Sequence, residues 1–212
     1  MVYLSVSDIE RLKKIVDLIQ AQVNANVDLD NKLELGKKFK APLGESLALI
    51  EIFKHFKDSI EYDWYGGQKK DFDIILSKGE TEVKIQIKTS LLDDYNFQIS
   101  THGYDNKLIE QLKNRNFSGL FKKIETDIDD KDVHFWIFVH IQEKTKFYIT
   151  NNEQLKKVLK IDFQNYVDNA NHRPNTRYGI DKNNSGRYII KKSSGSLEEY
   201  EDKWNLINKV LT

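Results

Sequence analysis

Chemically active side chains concentrate in residues 71–90, where a carboxylate, an amide and an ammonium group recur within two short segments. Apolar and polar residues alternate in both segments, which is the pattern of strands with one buried face. Residues 77–81 between them contain a glycine and have the length of a hairpin loop, so we expect antiparallel neighbours. The alternation then places Asp73, Gln86 and Lys88 on one face of the sheet.

This trio suits phosphodiester hydrolysis assisted by a divalent metal ion. Mg²⁺ prefers hard oxygen ligands and usually keeps several waters, so a carboxylate, a second side-chain oxygen and a nearby backbone carbonyl can hold it. The ion lowers the pKa of a bound water and neutralises charge that builds on the scissile phosphate. A lysine two residues along the same strand face, here Lys88, can orient or deprotonate that water and contact the phosphate.

The ordered set of residues resembles the PD-(D/E)XK, or restriction-endonuclease-like, nuclease superfamily. Its signature is an aspartate that opens one strand and an (E/D/Q)-x-K triplet on the next strand, usually behind a helix that carries a glutamate. Asp73 matches the first position, the triplet is Gln86, Ile87 and Lys88, and Glu45 matches the helix glutamate. Gln86 departs from most members, which have an acid there, but a branch that restricts modified DNA shares the Gln-x-Lys form.

The resemblance covers residues 41–150 and implies roles for these side chains. Asp73 and Gln86 would be ligands of Mg²⁺ together with the backbone carbonyl of Ile87, and Mn²⁺ would serve as a substitute. Lys88 would be the catalytic lysine, and Glu45 a supporting acid or a ligand of a second metal ion. The fold implied is α/β, a restriction-endonuclease-like mixed central β-sheet flanked by helices. The activity implied is that of a metal-dependent endodeoxyribonuclease, in the form of a small type II-like restriction endonuclease that cuts double-stranded DNA without a small-molecule cofactor.

Length and composition set the outer limits. The 212 residues are enough for one sizeable core, and we expect an N-terminal helical extension at 1–40, a nuclease core at 41–160, and a basic loop with a C-terminal helix packed on the core at 161–212. The chain contains no cysteine, which excludes disulfides and thiolate metal sites. Without a long apolar run or a signal-peptide core, the sequence predicts a cytoplasmic protein that has no membrane partner.

DNA binding would require clustered charge, because Lys plus Arg and Asp plus Glu both number 33. The most basic stretch is residues 171–196, which would contact phosphates and base edges or else form a solvated loop. We also expect a homodimer, since one site cuts one strand and two-fold symmetry matches the duplex. The candidate DNA contacts are Lys69, Lys70, Thr89, Ser90, Arg173, Arg177, Lys182 and Arg187.

Several elements around the site are predicted from apolar spacing and turn residues. A helix is expected over residues 43–56 with Pro42 just before it, following a polar linker at 24–31. The apolar run 133–141 predicts a strand that is buried on both faces at the centre of the sheet. Residues 196–211 predict a final helix with a capping box at its start, docked on the core.

Two other interpretations remain open for the same residues. If the neutral Gln86 marks a degraded site, the protein is a module that binds nucleic acid or a partner without cutting it. Alternatively, the alternation of charged and apolar residues is that of any solvated antiparallel strand, and the protein is an α/β protein of another class. Cleavage of RNA instead of DNA is a variant of the nuclease hypothesis.

Overall fold

The chain folds as an α/β protein, seen here in a computed structural model. The structure describes residues 29–56, 60–65, 71–91, 94–101, 105–114, 116–168 and 187–211. In chain order the elements are α1 (Leu29–Phe56), β1 (Glu61–Trp64), β2 (Ile74–Lys78), β3 (Thr81–Ser90), β4 (Asn96–Ser100), α2 (Asn106–Lys113), α3 (Ser118–Asp129), β5 (Phe135–His140), β6 (Lys146–Asn151), α4 (Asn152–Asp168), β7 (Arg187–Lys191) and α5 (Asn205–Leu211).

Five strands form a mixed sheet in the order β1-β2-β3-β5-β6. β2 and β3 are joined by a tight turn in which Gly79 has a φ of 60°, a backbone conformation that favours glycine, and they pair antiparallel as predicted. β3 then pairs in parallel with β5, which is possible because the chain between them crosses over through α2 and α3. A mixed central sheet flanked by helices is therefore confirmed.

The sheet separates two apolar layers. On one face, α1 and α5 pack against side chains such as Ile85 and Ile137, whereas the other face carries Trp136 and Phe138 beneath α3 and α4. All six residues of β5 are buried, so the prediction of a strand covered on both faces is confirmed. The prediction that this strand lies at the centre of the sheet is wrong, because β3 occupies the middle position. A second sheet of β4 and β7 was not predicted.

Helix α1 is longer than the sequence suggested. It starts at Leu29, so a linker ending at residue 31 and a helix start after Pro42 are both wrong. Proline inside a helix removes one main-chain donor and usually bends the helix. Here the hydroxyl of Ser46 donates to the carbonyl of Pro42 at 2.8 Å, which uses an acceptor one turn away. Residues 1–28 of the N-terminal helical extension predicted at 1–40 lie outside the described residues.

The C-terminal segment docks as expected but is shaped differently. Residues Glu198–Tyr200 form a short 3₁₀ turn, and α5 begins only at Asn205, so the capping box predicted at Ser196 is wrong. The main-chain N–H of Asp202 donates to the carbonyl of Phe147 at 2.8 Å, and this bond to the edge of β6 interrupts a continuous helix. Three apolar side chains of the segment are buried against the sheet: Trp204, Ile207 and Leu211.

The approach of α1 to the sheet is set by Gly44. A Cβ atom built there would lie 1.8 Å from Oγ1 of Thr89 and 2.8 Å from its Cβ. Only glycine allows so close a contact between this turn of the helix and the end of β3. The contact also fixes the height of the next residue, Glu45, above the sheet.

Replacing Gly44 by alanine should lower the free energy of unfolding by about 1–3 kcal/mol, as overpacking of a tight interior does. Gly119→Ala is the matched control, because the nearest atom to its added Cβ, at 2.2 Å, is the terminal Oε1 of Gln111, which can move away. Urea unfolding measures both variants. Equal losses in the two would show that α1 is not held at Thr89.

Candidate functional site

Alternate residues of β3 bond to two different neighbours. The carbonyl of Lys84 accepts from His134 N at 2.8 Å, toward β5, whereas the carbonyl of Ile85 accepts from Asp73 N at 2.8 Å, toward β2. By the same alternation the main-chain groups of Ile87 point to the β2 side. There the N–H of Ile87 donates at 2.7 Å to the carboxylate of Asp73 instead of a main-chain carbonyl. Among the described residues the pairing of β2 with β3 ends at Ile74 and Ile85. We call the space between the two segments beyond this pair the opening, and the alternation directs the Ile87 carbonyl toward it.

Asp73 and Gln86 are directly bonded across this opening. The amide nitrogen of Gln86 donates to Oδ2 of Asp73 at 2.5 Å, the same oxygen that accepts from Ile87 N. Both side chains are buried, at 5% and 9% exposure. The sequence prediction that these two side chains share a face is met by direct contact.

Lys88 and Glu45 complete the cluster electrostatically. Burial lowers the pKa of the Lys88 ammonium, and the charges of Asp73 and Glu45 oppose that shift. Burial likewise raises the pKa of the Asp73 and Glu45 carboxyls, and Lys88 counteracts both. These mutual effects require the charged groups to lie near one another, so the four side chains singled out in the sequence are brought together from α1, from the residue before β2, and from β3.

Two residues of the site were not singled out from the sequence. The indole N–H of Trp64 donates to Oε2 of Glu45 at 2.9 Å. Lys131 lies close enough to Lys88 to lower its pKa, and its ammonium is 3.9 Å from Oδ1 of Asp71. In the sequence, Trp64 resembles an aromatic residue that packs at the end of a strand. Nothing in the sequence pattern pointed to Lys131, because it follows α3 and is far from the motif along the chain.

Few of the predicted DNA contacts can be placed at this site. Thr89 is buried against Gly44, and Ser90 is fully buried with its hydroxyl accepting from Asn96 N at 3.2 Å, so both hydroxyls face the protein interior. Arg187 is exposed on β7, where it donates to Oε1 of Gln98 at 2.7 Å. The remaining predicted contacts, Lys69, Lys70, Arg173, Arg177 and Lys182, lie outside the described residues.

The donor atoms at this site fit a hard divalent cation. Asp73 offers a carboxylate, and the two groups that donate to it belong to Gln86, which has an amide oxygen, and to Ile87, which has a main-chain carbonyl. Glu45 lies near Asp73. Within the described residues there is no cluster of three or more His, Cys, Asp or Glu side chains able to hold a metal ion. A site with so few charged ligands suits Mg²⁺, which retains water in its coordination shell, better than a tightly chelated transition metal.

No protein-family model, curated protein or solved structure matches this chain. In the described part of the molecule, no helix has both the length and the apolar character needed to cross a membrane.

Replacing Lys88 by methionine should raise the free energy of unfolding at pH 7 by about 1 kcal/mol. Burial disfavours the charged lysine in the folded protein and lowers its pKa below the ordinary 10.5. Between those two pKa values the unfolded chain binds more protons, so the stability of the wild type rises with pH. The advantage of the methionine variant should thus shrink as the pH approaches 10.5.

Urea unfolding at several pH values tests this expectation. Lys84→Met is the matched control, since Lys84 lies on the same strand but is paired with Asp132 at the surface. Its effect should stay within about 0.5 kcal/mol. A Lys88→Met variant that is less stable than wild type at pH 7 would contradict the assignment of Lys88 as a group held at a cost to stability.

Proposed function

We propose that the protein is a Mg²⁺-dependent endonuclease that hydrolyses phosphodiester bonds in double-stranded DNA, as a small type II-like restriction endonuclease does. The observation that carries this proposal is the convergence of Asp73, Gln86, Lys88 and Glu45 where β2 and β3 part. A buried carboxylate bonded to the next strand, beside a lysine whose pKa is lowered, is an arrangement associated with acid–base and phosphoryl chemistry.

Each side chain has a defined task in this proposal. The Gln86 amide and the Ile87 N–H both donate to Oδ2 of the Asp73 carboxylate, so Oδ1 would be the ligand for the ion. Mg²⁺ held by Asp73, Gln86 and the Ile87 carbonyl would neutralise phosphate charge and lower the pKa of a bound water. Lys88 would orient that water or take its proton, because a lowered pKa brings the amine closer to neutral pH. Glu45 would serve as a supporting acid.

The substrate geometry supports a homodimer. A single site of this kind cuts one strand, and two copies related by a two-fold axis match the symmetry of a duplex. We therefore propose that double-strand cleavage requires two chains, whereas one chain alone would nick.

A module that binds DNA without cutting it is the second candidate. It is favoured by Gln86, a neutral side chain whose amide N–H donates to the Asp73 carboxylate. This hydrogen bond would join the two strand ends even in a protein that has no catalytic metal. Retained DNA affinity with no metal-stimulated cleavage would identify this function.

Asp73→Ala and Lys88→Ala should each reduce the rate of plasmid cleavage in Mg²⁺ by at least about 100-fold. Lys84→Ala is the matched control, because Lys84 lies on the same strand but is engaged by Asp132. Supercoiled plasmid and labelled oligonucleotides provide the readout, with EDTA as the blank. Cleavage that persists in both site variants would refute this active site.

Gln86→Glu should lower the Mg²⁺ concentration needed for half-maximal cleavage by about 10-fold, because a second carboxylate strengthens a hard-oxygen site. The same change should destabilise the metal-free protein, since it replaces a donor to Asp73 by a like charge. Cleavage titrations and thermal unfolding with and without Mg²⁺ measure the two effects. An unchanged Mg²⁺ requirement would remove Gln86 from the ligand set.

A further inference from the structure

Trp64 is a large apolar side chain that the fold leaves in solvent beside the site. It retains 41% of its surface exposed, whereas the other two tryptophans, Trp136 and Trp204, are 1% and 4% exposed. Isolated exposed apolar residues are ordinary on protein surfaces, so exposure alone assigns nothing. The position of the ring and its orientation are what distinguish Trp64.

The position is fixed by β1. Trp64 pairs with Ile74 across the strands, and the following residue, Tyr65, donates its main-chain N–H to the carbonyl of Asp73 at 2.9 Å. Trp64 is therefore one residue away, on the neighbouring strand, from the carboxylate at the centre of the site. Among the strands that the structure describes, β1 is also the edge strand of the sheet.

The orientation is fixed by Glu45. The indole N–H donates to Oε2 of Glu45 at 2.9 Å, which turns the polar edge of the ring toward the site while 41% of the residue stays exposed. The other aromatics of β1 and its continuation are packed: Tyr62 lies against Phe53 and Tyr65 against Phe72, with ring centroids 4.7 and 5.5 Å apart. Among the described residues, no aromatic ring contacts Trp64.

We propose that Trp64 is a stacking platform for an unpaired base next to the scissile phosphate. This inference rests on the proposed nuclease function and names its substrate class: duplex DNA in which a nucleotide beside the cut is unpaired or displaced. In an intact duplex the faces of each base are covered by its neighbours, so only a base that has left the stack can offer a face to the indole. Every base has such a face, so the platform selects DNA structure and not sequence.

The competing role for Trp64 is positional, since its N–H alone could hold Glu45 in place. Two substitutions separate the roles. Trp64→Phe keeps an aromatic ring and loses the N–H, whereas Trp64→Ala loses both. Ile161→Ala is the matched control, because Ile161 is an equally exposed apolar residue, at 44%, on α4.

The test compares binding of two oligonucleotide duplexes that differ by one unpaired nucleotide, with EDTA present so that no strand is cut. Wild type should bind the duplex with the unpaired nucleotide about 10-fold more tightly, which is the scale of one base–aromatic stack. That duplex should also quench the exposed tryptophan emission and protect it from acrylamide. Trp64→Phe should keep most of the preference, Trp64→Ala should lose it, and Ile161→Ala should match wild type.

The contrary outcomes are distinguishable. Equal affinity of wild type for both duplexes, together with Mg²⁺-dependent cutting of paired DNA, would overturn the platform and leave the nuclease proposal standing. A preference lost equally in Trp64→Phe and Trp64→Ala would also overturn the platform and assign Trp64 to the positioning of Glu45. Failure of wild type to bind either duplex would overturn this inference, and failure to cut either duplex in Mg²⁺ would overturn the nuclease proposal as well.

Discussion

The hydrogen bond from the Ile87 N–H to the Asp73 carboxylate is the constraint on which the site depends. It continues the ladder between β2 and β3 by one step, but with a side chain in place of a main-chain carbonyl. The main-chain donor is thereby satisfied at the point where the strands part, which a buried N–H requires. The same bond fixes Asp73 at the rim and leaves the Ile87 carbonyl directed at the opening. This one hydrogen bond thus satisfies the last main-chain donor between the two segments and also positions the side chain at the centre of the site.

Burial of the three ionisable groups at the site disfavours their charged forms. Burial raises the pKa of Asp73 and Glu45 and lowers that of Lys88, so all three groups would be more easily charged in the unfolded chain. Their attraction for one another offsets only part of this cost. Compensation comes from the two apolar layers of the sheet and from the tight contact of Gly44 with Thr89. The buried charges therefore lower the free energy of unfolding, and the apolar packing around them offsets this loss, as is common at functional sites.

The strand half of this site was predictable because it depends on local pattern. The period-2 alternation and the glycine turn predicted the antiparallel hairpin and the meeting of Asp73 with Gln86, since strand faces and hairpin pairing follow from a few neighbouring residues. The start of α1 was missed because proline was read as a helix boundary, although a helix interior tolerates it here at Pro42. β5 lies next to the central strand β3 and not at the centre itself. This position depends on strand order, which the apolar content of a segment does not encode.

Contacts between distant segments account for the rest. The Trp64–Glu45 bond, the approach of Lys131 and the pairing of β4 with β7 each join parts of the chain that no local period relates. The C-terminal segment shows the same effect, because bonds to β6 override a local capping signal. Tertiary contacts of this kind decide which polar residues meet, so the electrostatics of the site could be anticipated from the sequence only in part.

The most direct measurement of the central claim is the binding of Mn²⁺, observed by electron paramagnetic resonance, to wild type and to Asp73→Asn. The asparagine variant keeps an oxygen that can accept from Ile87 N, so the strand ends should stay joined while the charge is removed. We expect one Mn²⁺ per wild-type chain, displaced by Mg²⁺, and binding weakened at least about 10-fold in the variant. Identical Mn²⁺ binding in the two proteins would show that Asp73 does not hold a metal ion.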